Sequence, residues 1–212
     1  MIDKNTPIVL LHGLGARPVT LAGIQYYLRW WHGFIDVHTI SYPADTQTLD
    51  ACVDAVDRVL CSVYGDDRQR SLIVVGQSMG GVVGARLHTR GWHLDTLVTI
   101  GSPLHGAAVL NYAVDCLPST VVDWAMKPNY EYLMLEKRMA TPPHAGHCIT
   151  MSWPFIGTFD GCVFVDEARF DEWPHTHLTW ADHRTVFANP RLWHAVYAAI
   201  DTTHSTCTIN SL

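Results

Sequence analysis

The stretch Ser71–Arg90, SLIVVGQSMGGVVGARLHTR, decides the fold. Leu72 to Val75 is an unbroken apolar run, the pattern of a strand covered on both faces. Gly76-Gln77-Ser78-Met79-Gly80 then makes a G-x-S-x-G match, and Val82, Val83, Ala85, Arg86 and Leu87 follow at helix-compatible spacing. The period thus changes from strand to helix inside one glycine-rich turn, with Ser78 at its apex. A serine on so sharp a bend exposes its hydroxyl, and the crowded backbone calls for glycine two residues before and two after it. The helix behind it aims free N–H groups and its positive end at the same point, where they stabilise developing negative charge. Ser78 is therefore the candidate nucleophile. The alternative is an ordinary glycine-rich turn.

On the N-terminal side, Pro7–Leu11 is a second continuous apolar run, suited to a central parallel strand, and His12-Gly13-Leu14-Gly15 breaks it. Pro18 to Trp30 reads as a helix with Leu21, Ile24, Tyr27 and Leu28 on one face, and Ile35 to Tyr42 as a strand. Thr46 to Tyr64 is the clearest amphipathic helix, with Leu49, Cys52, Val53, Val56, Val59, Leu60 and Val63 inward and Gly65 closing it. On the C-terminal side, Leu94 to Ile100 is a strand that ends at Gly101-Ser102-Pro103-Leu104-His105-Gly106. Ala107 to Pro143 loses regular period, carries many large apolar residues and is broken by Pro118 and Pro128; a helical insertion over the sheet edge and a core-facing helix pair both fit. Strand pattern resumes at Cys148–Trp153 and again at His175–Trp180, and Arg191–Ile200 forms a closing helix with a frayed polar tail, residues 201–212, behind it. Alternating strands and helices of this kind give a single α/β domain: a mostly parallel sheet with helices on both faces.

The motifs HGLG at His12–Gly15, GQSMGG at Gly76–Gly81, GSPLHG at Gly101–Gly106, and the late FDG and ADH segments at Phe159–Gly161 and Ala181–His183 together resemble the α/β-hydrolase family, and within it the small bacterial lipases and lipase-like esterases. The resemblance implies a minimal α/β-hydrolase fold that lacks the antiparallel strands opening larger members. It further implies a triad in the order Ser78, Asp160, His183, and an oxyanion hole from the backbone N–H groups of Leu14 and Met79. Ser78 would attack an acyl carbonyl, His183 would carry the proton, and Asp160 would hold the imidazole. Asp166, Asp171 and Asp182 are rival acids, and His105 is the rival base. The reaction implied is carboxylic ester hydrolysis on a small acyl ester or lipid, without cofactor or metal. The same triad serves acyltransferases and thioesterases, and a catalytically silent binding module of this fold is the reading from another class.

Composition sets the outer bounds. The 212 residues, 48% hydrophobic and 16% charged, suffice for one well-buried core. A net charge of -6 with only 14 Lys and Arg argues against nucleic-acid or anionic-membrane partners. The N-terminus lacks the basic and apolar regions of a secretory signal, and no apolar run is long enough to span a bilayer, so a soluble, cytoplasmic protein is expected. Six cysteines without a C-x-x-C pair read as mostly buried thiols. His144-x-x-His147 and His175-x-His177 have ligand-like spacings but no scaffold or third partner, so zinc is not expected.

Overall fold

The computed structural model describes residues 2–108, 145–153, 155 and 157–210, with 204–210 as backbone. Six strands, β1 (Ile8–Leu11), β2 (Val37–Ile40), β3 (Leu72–Gln77), β4 (Leu94–Ile100), β5 (Gly146–Ser152) and β6 (His175–Thr179), form one sheet in the order β2-β1-β3-β4-β5-β6. Every pairing is parallel. From β1 the chain steps out to β2 and then returns past β1 to β3. Adjacent crossovers therefore leave β1 and β3 in opposite directions, and such a reversal opens a crevice beyond the carboxyl ends of the two strands. The HGLG turn and the Ser78 turn both begin there.

The unbroken apolar runs follow from two-sided coverage. Alternate residues of the same strand serve separate cores. Val9, Leu11, Leu72 and Val74 pack with α2 (Leu49–Tyr64) and α3 (Met79–Arg86). Ile8, Leu10, Ile73 and Val75 pack with α1 (Ala22–Tyr26) and the closing helix α4 (Pro190–Asn210). Each fully buried aliphatic side chain contributes about 1.5–3 kcal/mol, so β1 and β3 are anchored from both faces.

The structure departs from the sequence reading at four places. The helical Pro18–Trp30 stretch is a 3-10 turn (Pro18–Leu21), α1, and a π-turn (Tyr27–Trp31) in succession. Its Gly23 lies so close to α4 that a Cβ there would stand 2.6 Å from the Trp193 ring, and the expected inward Tyr27 is only half-buried. The long helix starts at Leu49 instead of Thr46, because Thr48 caps it by accepting from Ala51 N–H at 3.3 Å. Val63, expected inward, is exposed in the last turn of α2, while its neighbour Tyr64 takes the place against the core. The tail expected to fray is helical as far as Asn210, and within it Thr202 and Thr203 donate their hydroxyls to the carbonyls of Ala198 and Ala199, four residues back. Beyond Ala108, the insertion expected over the sheet edge lies outside the described residues.

Candidate active site

The bend at Ser78 is built by close approach. Ser78 has φ 51 and ψ -126, a conformation that costs a non-glycine residue about 1–3 kcal/mol and persists only where its surroundings enforce it. They do so here through glycine. A Cβ on Gly76 would stand 2.4 Å from Gly81 Cα, one on Gly80 2.2 Å from the Leu11 carbonyl oxygen, and one on Gly81 2.0 Å from Ser102 Oγ. Ser78 N–H donates to the Ile100 carbonyl at 2.8 Å, and its own carbonyl accepts from Gly81 N–H at 3.0 Å. Helix α3 begins immediately, so Met79 N–H belongs to the first, unpaired turn of the helix.

Across the crevice, the HGLG turn lies directly on the nucleophile candidate, for a Cβ on Gly13 would come within 2.8 Å of Ser78 Cβ. Gly13 N–H donates to Gln77 Oε1 at 2.7 Å, and Gly15 N–H donates to Asp45 Oδ1 at 2.6 Å. Leu14 N–H lies between these two engaged groups. His12 is buried beneath the turn, its ring stacked on Tyr42 at 4.6 Å while the Tyr42 hydroxyl donates to the His12 carbonyl. Burial disfavours the imidazolium and pulls the His12 pKa below its ordinary value. His12, Arg17, Tyr42 and Asp45 are among the residues lining a cavity of about 400 Å³ next to this turn.

Asp160 and His183 are brought together. Asp160 Oδ2 and His183 Nδ1 are 2.8 Å apart, with the carboxylate buried at 2% exposure. Asp160 Oδ1 accepts from Cys162 N–H and Val163 N–H at 2.9 and 2.8 Å, and its backbone carbonyl accepts from His183 N–H at 2.9 Å. One carboxylate thus shapes its own turn with one oxygen and orients the ring with the other. With the proton on Nδ1, the Nε2 lone pair is left to accept a proton, which is what a general base requires. Gly101, at φ 52, separates the pair from the elbow: a Cβ there would stand 3.0 Å from Asp160 Oδ2 and 3.2 Å from His183 Nδ1. The residue before it, Ile100, is the one that receives Ser78 N–H.

The rivals are placed elsewhere. Asp166 and Asp171 are exposed on either side of Arg169, at 3.6 and 3.8 Å. Asp182 accepts from Arg184 N–H and Thr185 N–H, both at 2.9 Å, and from the Thr185 hydroxyl, which shapes the turn that carries His183. Its burial penalty is outweighed by these bonds, which hold its carboxyl below the usual range. His105 packs edge-on against Phe170 at 5.5 Å. Of the ligand-like histidines, His144 lies outside the described residues, His175 is exposed, and His177 bonds Thr150 and Ser152 at 2.9 Å each. Among the described residues no three His, Cys, Asp or Glu are grouped to hold a metal. Of the cysteines, Cys52 and Cys148 are buried thiols, Cys61 and Cys162 are half-buried thiols, and Cys116 and the Cys207 side chain lie outside the description. Among the described residues no helix is long and apolar enough to cross a membrane.

Sequence reasoning gave Gln77, Asp45 and Gly101 no part in the site. Gln77 stood inside the motif at a position the pattern leaves open, and Gly101 opened the GSPLHG motif without a role of its own. Asp45 had no signal beyond being a polar residue in a turn.

The comparisons with known proteins agree on architecture. A family profile described as "PGAP1-like alpha/beta domain" matches residues 40–121. No curated protein sequence matches the chain. Among solved structures, mature lipase BlEst2 from Bacillus licheniformis superposes with a TM-score of 0.71 at 18% identity, over 94% of this chain and 93% of that one. The lin2722 gene product of Listeria innocua gives 0.66 at 16% identity, over 92% and 94%. An extracellular alpha/beta-hydrolase from a Paenibacillus species gives 0.60 at 14% identity, over 92% and 98%. At such identities the likeness is one of fold.

Proposed function

We propose that this chain is a serine hydrolase of carboxylic esters within the α/β-hydrolase superfamily. Ser78 is the nucleophile, His183 the base and Asp160 the acid, and the N–H groups of Leu14 and Met79 form the oxyanion hole. The observation that carries the reading is the 2.8 Å contact between Asp160 Oδ2 and His183 Nδ1, buried against Gly101, the residue after the strand end that receives Ser78 N–H. Ser78 adds to the acyl carbonyl as His183 Nε2 takes the hydroxyl proton. The oxyanion gathers the two N–H bonds, and the proton passes to the leaving alkoxide as the tetrahedral adduct collapses to an acyl-enzyme. Water then repeats the sequence to free the acid.

An apolar ester is the substrate class favoured. Trp153, Phe155 and Trp180 form a cluster of edge-to-face rings, 6.2 and 5.5 Å apart, at the ends of β5 and β6. They are 37%, 84% and 58% exposed and flank the turns that carry Asp160 and His183, which supports an acyl group lying against them. Incubation with a fluorophosphonate probe tests the mechanism: a Ser78 adduct is expected, and its absence on folded protein returns the chain to the class of silent binding modules. Ser78→Ala is expected to lose labelling and hydrolysis while keeping its fold. A p-nitrophenyl ester panel from acetyl to octanoyl tests the substrate class. Each buried methylene is worth about 0.8 kcal/mol, so kcat/KM should climb with chain length. A flat or falling series removes the apolar preference.

A further inference from the structure

The turn that carries the Leu14 N–H is packed on one side only: Gly13 is buried against Gln77 and Ser78, and the Leu14–Gly15 side is open. Leu14 is 37% exposed, Gly15 sits at φ 70, and a Cβ on Gly15 would meet nothing within 4 Å. Sterics therefore do not define the Leu14–Gly15 peptide, and an open glycine turn left to itself samples many conformations. Two acceptors on opposite sides supply the definition. Gln77, buried and immediately before Ser78, takes Gly13 N–H at 2.7 Å, so the turn is tied to the nucleophile's own backbone. Asp45, from the turn after β2, takes Gly15 N–H at 2.6 Å with Oδ1, and its Oδ2 takes Arg17 Nη1 at 2.7 Å. The same Arg17 nitrogen also donates to the Ala16 carbonyl at 3.0 Å. An ion pair this exposed adds little stability, but it fixes which way the Asp45 carboxylate faces.

We propose that Gln77 and Asp45 are positioning residues: they hold the Gly13 and Gly15 peptides and so set where Leu14 N–H stands relative to the carbonyl attacked by Ser78. The inference rests on the serine-hydrolase reading above. Neither side chain touches the reacting atoms. Their contribution is preorganisation, since a donor already aimed at the developing oxyanion need not reorganise during the reaction.

The experiment compares wild type, Asp45→Ala, Asp45→Asn and Gln77→Met on a p-nitrophenyl ester and on the matching thionoester, with melting curves for each protein. Sulfur is a poor hydrogen-bond acceptor, so a displaced donor slows the ester more than the thionoester. Asp45→Ala should lower ester kcat about 10-fold and Gln77→Met about 100-fold, with KM within about 2-fold and the ester-to-thionoester ratio reduced. Asp45→Asn keeps an acceptor oxygen and should regain most of the rate. The proposal fails if folded Asp45→Ala and Gln77→Met keep wild-type kcat, or if ester and thionoester slow equally, as general loosening would produce. Should one variant fail to fold, the other decides. If wild type takes no fluorophosphonate and hydrolyses no ester, the serine-hydrolase reading has failed and this inference falls with it; a labelled, active wild type with unaffected variants sinks the inference alone.

Discussion

The two halves of the site are built by different means. Around Ser78 the chain is held by contact: Gly76, Gly80 and Gly81 stand where no Cβ fits, and the neighbours they touch are mostly backbone. Around Asp160 and His183 the chain is held by carboxylates. Asp160 and Asp182 each fold back onto N–H groups two and three residues ahead, while Gly161, at φ 102, has nothing within 4 Å of a Cβ position. Contact fixes a geometry without reference to charge. Hydrogen-bonded turns fix one only while their acceptors remain in place and correctly paired.

The sharpest probe of this contrast is chemical. Asp160→Asn keeps shape and one acceptor oxygen but presents the wrong partner to His183 Nδ1, so kcat should fall by about 10³–10⁴. Asp182→Asn retains the acceptor its turn needs and should cost less than about 10-fold. Steady-state kinetics on the two variants separates acid from turn-former, and equal losses would erase the distinction. A steric probe comes next. Gly80→Ala drives a Cβ into the Leu11 and His12 carbonyls and should destabilise by about 3 kcal/mol in urea unfolding, whereas Gly161→Ala should cost about 1 kcal/mol through its φ alone. Reversed values would show that contact does not hold the elbow.

The mildest probe is acid. Burial holds the pKa values of His12, His32, His147 and His177 below the usual histidine value of 6.5. The unfolded chain therefore binds protons that the folded chain refuses, and stability is lost as pH falls below the unfolded value toward the folded ones. A Tm roughly 5 °C lower at about pH 5 than at about pH 7.5 is expected, before the carboxylates titrate. Because His147 and His177 bond side chains across β5 and β6, amide exchange should quicken there before it does in β1 and β3. Uniform quickening would contradict a softer acid–base half.

The same contrast explains what could be read from the sequence. The Leu72–Leu87 elbow was legible because close approach leaves glycine as the residue that fits, and glycine spacing is visible in a string of letters. Strand β4 was legible to its last residue, since Leu94, Leu97, Val98 and Ile100 crowd it with apolar side chains and Gly101 stops it. Asp160 could be ranked but not separated on pattern alone from Asp166, Asp171 and Asp182, because an aspartate in a turn looks the same whether it faces an imidazole or solvent. The bonds from Gln77 and Asp45 depend on packing between elements 64 and 30 residues apart in sequence, and nothing local announces them. The Tyr27–Trp31 π-turn likewise left no local mark in the sequence.

The strand order carries a consequence for how the molecule comes into being. With every neighbouring pair parallel, no two strands can be joined by a hairpin, and each pairing waits for a full crossover to be synthesised. Chains emerging from the ribosome settle from the N-terminal end. By the time Ile100 has emerged, four strands and the Ser78 bend are available to assemble, while the segments bearing Asp160 and His183 are still unmade. On the reading proposed here the nucleophile is born without its base, and the growing chain stays chemically quiet until its final third docks along β4.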